Sequence, residues 1–261
     1  MSENIVICLP ARYASTRLPG KPLLEIAGKP LILWALESAS QIDANEIIVA
    51  TDDERIQNLV ESHGYQCVQT SSEHQSGTDR LAEVARLKNW DNETIVVNYQ
   101  ADEPLTPKQN IEQLIQALKD NPHASIATLY QLINNYEDLV NPNNVKLVTD
   151  ENDLSLYFSR APIPYSRSTF ADEKLDENIQ YKHHIGLYAY KAGFLKQFSK
   201  LSPSDLEKTE SLEQLRAISH SYKIIAKQAL QTMPHGIDTQ EDIVRFKELI
   251  KSGNHNDSIN S

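Results

Sequence analysis

The chain has 261 residues, 40% of them apolar, which is enough to bury one substantial core. Its formal net charge of -11 argues against nucleic acid or an anionic membrane surface as its general partner. No basic segment precedes a long apolar run at the N-terminus, so neither a signal peptide nor a membrane span is expected, and the expected compartment is the cytoplasm. Cys8 and Cys67 both sit in apolar, strand-like runs and read as small buried hydrophobes.

Strands and helices alternate through the first half. Ile5 to Leu9 reads as a buried strand, and Pro30 opens a helix reaching about Ile42. A second strand spans Glu46 to Ala50. The helix from Asp53 to His63 ends at Gly64, the usual C-terminal punctuation. A helix from Thr78 to about Leu87, a strand from Thr94 to Asn98 and a helix from Pro107 to Lys119 follow. Such alternation implies right-handed crossovers and a mostly parallel twisted sheet with helices on both faces. After residue 124 the pattern changes. Ser125 to Leu132, Val145 to Val148, Leu154 to Phe158 and Ile185 to Tyr190 are strand-like, and Asp150-Glu151-Asn152-Asp153 is a hairpin turn signal. Helices return at about Ser204 to Ser219 and Thr239 to Lys251, with a strand from Ile224 to Ala229 between them. One domain over 1–251 is expected: a nucleotide-binding half (1–124), a hairpin-rich lobe (125–200) and returning helices (201–251). Residues 252–261, rich in Asn and Ser, are expected to be a disordered tail.

The loop after the first strand, Pro10-Ala11-Arg12-Tyr13-Ala14-Ser15-Thr16-Arg17-Leu18-Pro19-Gly20-Lys21-Pro22, carries Arg12, Arg17 and Lys21 within ten positions of an acidic chain. Cations in a small-residue loop at a strand end suit phosphate, and amides near Ala14 to Thr16 suit an anion nest; a solvated surface loop is the alternative. Neither G-x-x-x-x-G-K-[ST] nor G-x-G-x-x-G is present. Asp102 lies just beyond a buried strand, where open α/β sheets bind ligands, and is either a magnesium ligand or a turn former before Pro104. Asp238 is either a second carboxylate ligand or, with Thr239, a helix cap. Ser76 or Thr78 caps a helix whose free amides also suit a ligand. His183-His184 does not read as a metal pair, because adjacent strand residues face opposite ways.

The loop resembles the signature of the 3-deoxy-manno-octulosonate (Kdo) cytidylyltransferase family. The resemblance continues in family order through Ala50-Thr51-Asp52-Asp53, His74-Gln75-Ser76-Gly77-Thr78-Asp79-Arg80 and Asn98-Tyr99-Gln100-Ala101-Asp102-Glu103-Pro104. It resumes in Tyr157-Phe158-Ser159-Arg160, His184-Ile185-Gly186-Leu187-Tyr188, Leu212-Glu213-Gln214-Leu215-Arg216 and Gly236-Ile237-Asp238-Thr239. It implies a Rossmann-like sheet of the nucleotide-diphospho-sugar transferase type, a homodimer in which the hairpin-rich lobe serves as lid and interface, and transfer of CMP from CTP to Kdo for lipopolysaccharide or capsule. It places Arg12, Ser15, Arg17, Lys21, Thr51, Ser76, Gly77, Arg80 and Asp102 on the nucleotide, with Arg12, Lys21 and Asp102 catalytic. It places magnesium on Asp102 and Asp238, and the sugar on Gln100, Arg160, His184, Tyr188, Glu213 and Gln214. Two departures bear on the sugar: Ala101 stands where the family has Gly, and His183 where it has Arg. A modified octulosonate such as 8-amino-Kdo is therefore an alternative acceptor. A non-catalytic nucleotide-binding module is the alternative of another class, and the intact Lys21, Asp102 and Asp238 speak against it.

Overall fold

A computed structural model of the protein describes residues 4–14, 18–74 and 76–251. Ser15, Arg17 and the expected tail lie outside the described residues. The chain divides into two compact units. The first comprises Met1–Ile115, Ala189–Ser199 and Leu230–Ser261, and the second Gln116–Tyr188 and Lys200–Ala229. The second unit thus takes two segments in place of the contiguous lobe 125–200, because β11 pairs with β7 and carries residues before 230 with it.

In the first unit, β1 (Ile5–Ala11) is flanked by two parallel partners, β4 (Glu46–Thr51) and β6 (Ile95–Asn98), and β5 (Gln66–Gln69) runs parallel to β4. Val6 to Leu9 and Val96 to Val97 are fully buried, which is why these strands read as continuous apolar runs. β2 (Glu25–Ile26) and β3 (Lys29–Pro30) form a small antiparallel hairpin that no run of residues announces. Pro30 is therefore the cap of α1 (Leu31–Ala39) and the last residue of a strand, and the helix stops three residues short of Ile42. The helices α2 (Glu54–Ser62) and α3 (Gly77–Leu87) begin where capping chemistry places them. The Asp53 side chain accepts from the Arg55 amide at 2.9 Å, and the Ser76 hydroxyl from the Asp79 amide at 3.1 Å. The helix α4 (Lys108–Asp120) follows.

In the second unit, β7 (Ile126–Leu132) is followed by a short helix, α5 (Tyr136–Val140), absent from the sequence expectations. β8 (Lys146–Thr149) and β9 (Ser155–Ser159) form the expected hairpin, with Asp153 left-handed in its turn. β10 (Lys182–Lys191) pairs antiparallel with β8 and adjoins β7. It leads into α6 (Ala192–Phe198) of the first unit. The expected helix from Ser204 to Ser219 is two, α7 (Asp205–Glu210) and α8 (Gln214–Ser219), because Ser211 adopts φ +53° and ends the first. β11 (Ile224–Gln228) runs parallel to β7. The chain ends in α9 (Gln240–Lys251), whose Ile243 and Phe246 pack on Ile26, Leu31 and Ile237.

Gly20 fixes the exit of the cationic loop. Its φ is +68°, its amide donates to the Tyr13 carbonyl at 3.0 Å, and the 3-10 turn Lys21–Leu23 starts immediately after it. A Cβ at this position would lie 2.9 Å from the Tyr13 ring. Gly20→Ala is expected to cost about 1–3 kcal/mol of folding stability, from left-handed strain plus the ring displacement, read as a lower midpoint in urea unfolding.

Candidate active site

The parallel strands β1 and β6 end at the same edge of the first unit's sheet, and the loops leaving them frame a cleft of about 310 Å³, within the range of small-molecule sites. Pro10, Ala11 and the exposed Arg12 line it from the end of β1. Ser76, Gly77 and Arg80 line it from the start of α3, and Gln100, Ala101 and Asp102 from the loop after β6. Lys21 and Asp238 complete its polar floor.

That floor is a charge cluster. Lys21, only 8% exposed, donates through Nζ to Asp102 Oδ2 at 2.5 Å and to Asp238 Oδ1 at 2.8 Å. The Ile237 amide donates to the Asp102 carbonyl at 2.8 Å, so backbone as well as side chains hold the two aspartate loops together. Asp242, at the start of α9, accepts from the amides of Asp238 and Thr239 at 3.1 and 2.9 Å and from the Thr239 hydroxyl at 2.9 Å. Helix capping and placement of Asp238 are thus both served here.

Glu103 is the site residue that sequence reasoning passed over, although it lies beside Asp102 in the same motif. Gly236 packs beside it, a Cβ there lying in ordinary van der Waals contact, 3.4 Å from Glu103 Cγ. Burial first, then the charges of Asp102 and Asp238, push its carboxyl up to about 8, against the pull of Lys21. Among the described residues no group of three or more His, Cys, Asp or Glu side chains is arranged to hold a metal by itself. Asp102 and Asp238 nonetheless share a cation, the ammonium of Lys21. A divalent ion of magnesium type, which takes one or two carboxylates and completes its shell with phosphate and water, fits such a pair.

The remaining expected nucleotide residues separate by environment. Arg80 lines the cleft while buried against Asp52, 3.3 Å away, and donating to Thr70 Oγ1. Thr51 does not line the cleft. It is fully buried, and its hydroxyl accepts from the Asp53 amide at 3.2 Å, which makes it a turn residue at the end of β4. His74, not singled out from the sequence, lines the cleft with Nε2 2.5 Å from Glu83 Oε2.

Of the residues expected at the sugar, Gln100 alone belongs to the first unit, where it lines this cleft. Arg160, His184, Tyr188, Glu213 and Gln214 belong to the second. There Arg160 is held by its own neighbours: Nε donates to the Glu210 carbonyl at 2.8 Å and Nη1 to the Pro142 carbonyl at 3.0 Å. The Glu210 carboxylate accepts from the Arg160 amide at 2.9 Å and from Ser159 Oγ at 2.6 Å. The fully buried Lys146 donates to the Arg160 carbonyl at 2.7 Å. His184 is buried, with Nε2 2.9 Å from Thr128 Oγ1 and the rings of Phe158 and Tyr188 at centroid distances of 5.0 and 5.2 Å. Burial and then His183 push its imidazole down to about 3, so His184 acts as a neutral hydrogen-bonding group and supplies no positive charge. Glu213 and Gln214 are half-buried at the start of α8.

Known proteins are similar to this chain. A 4-diphosphocytidyl-2C-methyl-D-erythritol synthase of Anaerococcus prevotii, 14% identical, superposes with a TM-score of 0.61 over 95% of this chain and 99% of its own, which shows a shared fold. A structure of CMP:2-keto-3-deoxy-manno-octonic acid synthetase complexed with CTP superposes with a TM-score of 0.86 at 38% identity, covering 96% of this chain and all of the other. The cytidylyltransferase family profile matches residues 5–224. A 3-deoxy-manno-octulosonate cytidylyltransferase of Pseudomonas fluorescens is 48% identical over 254 residues, 97% of this chain and 100% of the relative. One from Nitrosococcus oceani is 46% identical over 98% of this chain and 100% of its own. The chain belongs to the cytidylyltransferase family.

Because folding raises the Glu103 carboxyl from about 4.5 to about 8, the folded state holds that proton more tightly than the unfolded chain. This contribution is full below about pH 4.5 and is lost as pH rises toward 8. His184, with its folded value depressed, acts oppositely: its contribution is present above about pH 6.5 and is lost as pH falls. Between pH 6.5 and 8 the His184 contribution is constant, whereas Lys146, whose ammonium burial pushes down to about 8, begins to act with the opposite sign in wild type and variant alike, so the Glu103 effect is read as the difference between wild type and Glu103→Gln. In the presence of a chelator, denaturant unfolding should show wild-type stability falling across this window, relative to Glu103→Gln, by at most about 1.4 kcal/mol per pH unit. Glu103→Gln should remove that slope, and equal slopes in the two proteins would refute the assignment.

Proposed function

We propose that this chain transfers CMP from CTP to the anomeric hydroxyl of Kdo, giving CMP-Kdo and pyrophosphate. The observation that carries the reading is the cleft in which Arg12 and Lys21 stand beside the paired carboxylates Asp102 and Asp238 at the edge of a parallel sheet. The near full-length likeness to named 3-deoxy-manno-octulosonate cytidylyltransferases supplies the substrates.

Phosphoryl transfer of this kind asks the protein mainly for position and charge. Arg12 is suited to fork onto triphosphate oxygens, and Lys21 to act as a point charge. The amides at the start of α3, beside Ser76 and Gly77, offer donors to the nucleotide, and buried Arg80 keeps that helix start fixed against Asp52 and Thr70. A magnesium ion on Asp102 and Asp238, when bound, would neutralise phosphate charge and make the sugar hydroxyl easier to deprotonate. In the second unit, Arg160 is the permanent cation for the sugar carboxylate, oriented by Glu210 and Lys146. His184 and Tyr188 offer neutral contacts to hydroxyls.

The same reading carries a homodimer, a place in the cytoplasm and a product destined for lipopolysaccharide or capsule. Among the described residues no helix is long and apolar enough to cross a membrane. A modified octulosonate is the second reading. It is favoured by His183, whose imidazole burial pushes down, so that it brings no charge where the family has an arginine.

Pyrophosphate release with CTP, magnesium and Kdo, its 8-amino analogue or a nonulosonic acid tests both readings. Kdo is expected to be the best acceptor. A preference for the 8-amino sugar would select the second reading, and one for the nonulosonic acid, or for ATP over CTP, would exclude both. Asp102→Asn should lower turnover at saturating magnesium by at least about a hundredfold, the scale of lost preorganised charge, while near-normal turnover would remove Asp102 from the chemistry.

A further inference from the structure

We propose that Lys21 is an exchangeable counterion: it holds the metal carboxylates together and yields them when the divalent ion and the triphosphate arrive. The inference rests on the metal reading given under Proposed function and goes beyond it by assigning Lys21 two positions.

The argument starts from geometry. Lys21 Nζ is within 2.8 Å of one oxygen of Asp102 and one of Asp238, carboxylates that lie 81 and 217 residues away in the chain. With Glu103 beside them, three acidic side chains crowd one patch. Lys21 is a cation within salt-bridge distance of both aspartates, and its charge offsets their repulsion at close range.

Magnesium would need oxygens of the same two carboxylates. An ammonium and a divalent ion bridging one pair of oxygens would lie no more than about 5 Å apart, a strong like-charge contact in a partly enclosed cleft. The two cations therefore compete. Lys21 has somewhere else to go: its side chain lines the same cleft as Arg12, where triphosphate charge is expected, and its flexible stem allows the shift. In the exchange no covalent bond changes. Lys21 remains an ammonium, breaks its ion pairs with Asp102 and Asp238, and forms new ones with phosphate oxygens. Metal and nucleotide binding thus become cooperative, because each favours the Lys21 position that the other requires.

A lysine that only binds phosphate would leave metal affinity unchanged in the absence of nucleotide. A lysine needed only for local folding would weaken it on removal. An exchangeable counterion has the opposite sign. The experiment is Mn2+ titration of the nucleotide-free protein, followed by the paramagnetic resonance signal of free Mn2+, for wild type, Lys21→Met and Lys21→Arg. Lys21→Met should bind Mn2+ at least about tenfold more tightly than wild type, since a neighbouring positive charge has gone. Lys21→Arg should stay within about threefold of wild type. The gain should vanish in Lys21→Met/Asp102→Asn, which identifies the carboxylates responsible. Circular dichroism and unfolding midpoints establish that each variant is folded, and Lys21→Gln replaces Lys21→Met where the latter is not. Equal or weaker Mn2+ affinity in a folded neutral variant overturns the exchange. A wild-type ternary complex with Mn2+ and CTP, formed alongside that result, would leave the metal reading standing. Mn2+ binding by neither wild type nor variant, with or without CTP, would overturn both.

Discussion

The ammonium of Lys21 between Asp102 and Asp238 is the interaction on which the site depends. It joins three segments that the chain order keeps far apart: the turn after the β1 loop, the loop after β6, and the residues leading into α9. Parallel pairing of β1 with β6 makes the meeting possible, because it brings both C-terminal ends to one edge. The Ile237 amide on the Asp102 carbonyl then fixes the third segment. A buried ammonium without partners would be costly, and two carboxylates facing each other without a cation equally so. Each charge is tolerable because of the others, so the cluster specifies one arrangement of three loops.

What the sequence made legible follows from how local each signal is. The strands around β1 are buried on both faces, so they appear as unbroken apolar runs. The starts of α2 and α3 are set by Asp53 and Ser76, whose capping bonds span two or three residues. The hairpin β2–β3 has two residues per strand and no periodicity to read. Ser211 divides α7 from α8 through a left-handed backbone, a conformation that serine does not advertise.

The candidate site shows the same division. Asp102 was readable because a residue just beyond a buried strand is presented at a ligand edge by topology, and Lys21 and Asp238 because they fall in motifs resembling those of the family. Thr51 follows the same rule and breaks it: its hydroxyl turns back onto the Asp53 amide. Glu103 became visible only in three dimensions, because its neighbours in space include Asp238, 135 positions on in a chain numbered through both. The charge of His184 is likewise a property of packing. Phe158 and Tyr188 enclose its ring and keep it neutral, whatever its residue type suggests.

The two departures from the family pattern act in different places. Ala101 lines the cleft at the end of β1 and β6 and is 7% exposed, so its methyl occupies space beside the Asp102 backbone that a glycine would leave open. His183 belongs to the second unit, on β10 opposite Lys146 of β8. Burial and Lys146 both disfavour its charged form, with Asp138 opposing them. A permanent cation at that position would stand across the ladder from a buried lysine that holds the Arg160 carbonyl. Replacing arginine by histidine relieves that repulsion and leaves Arg160 as the permanent cation among the second-unit residues assigned to the sugar.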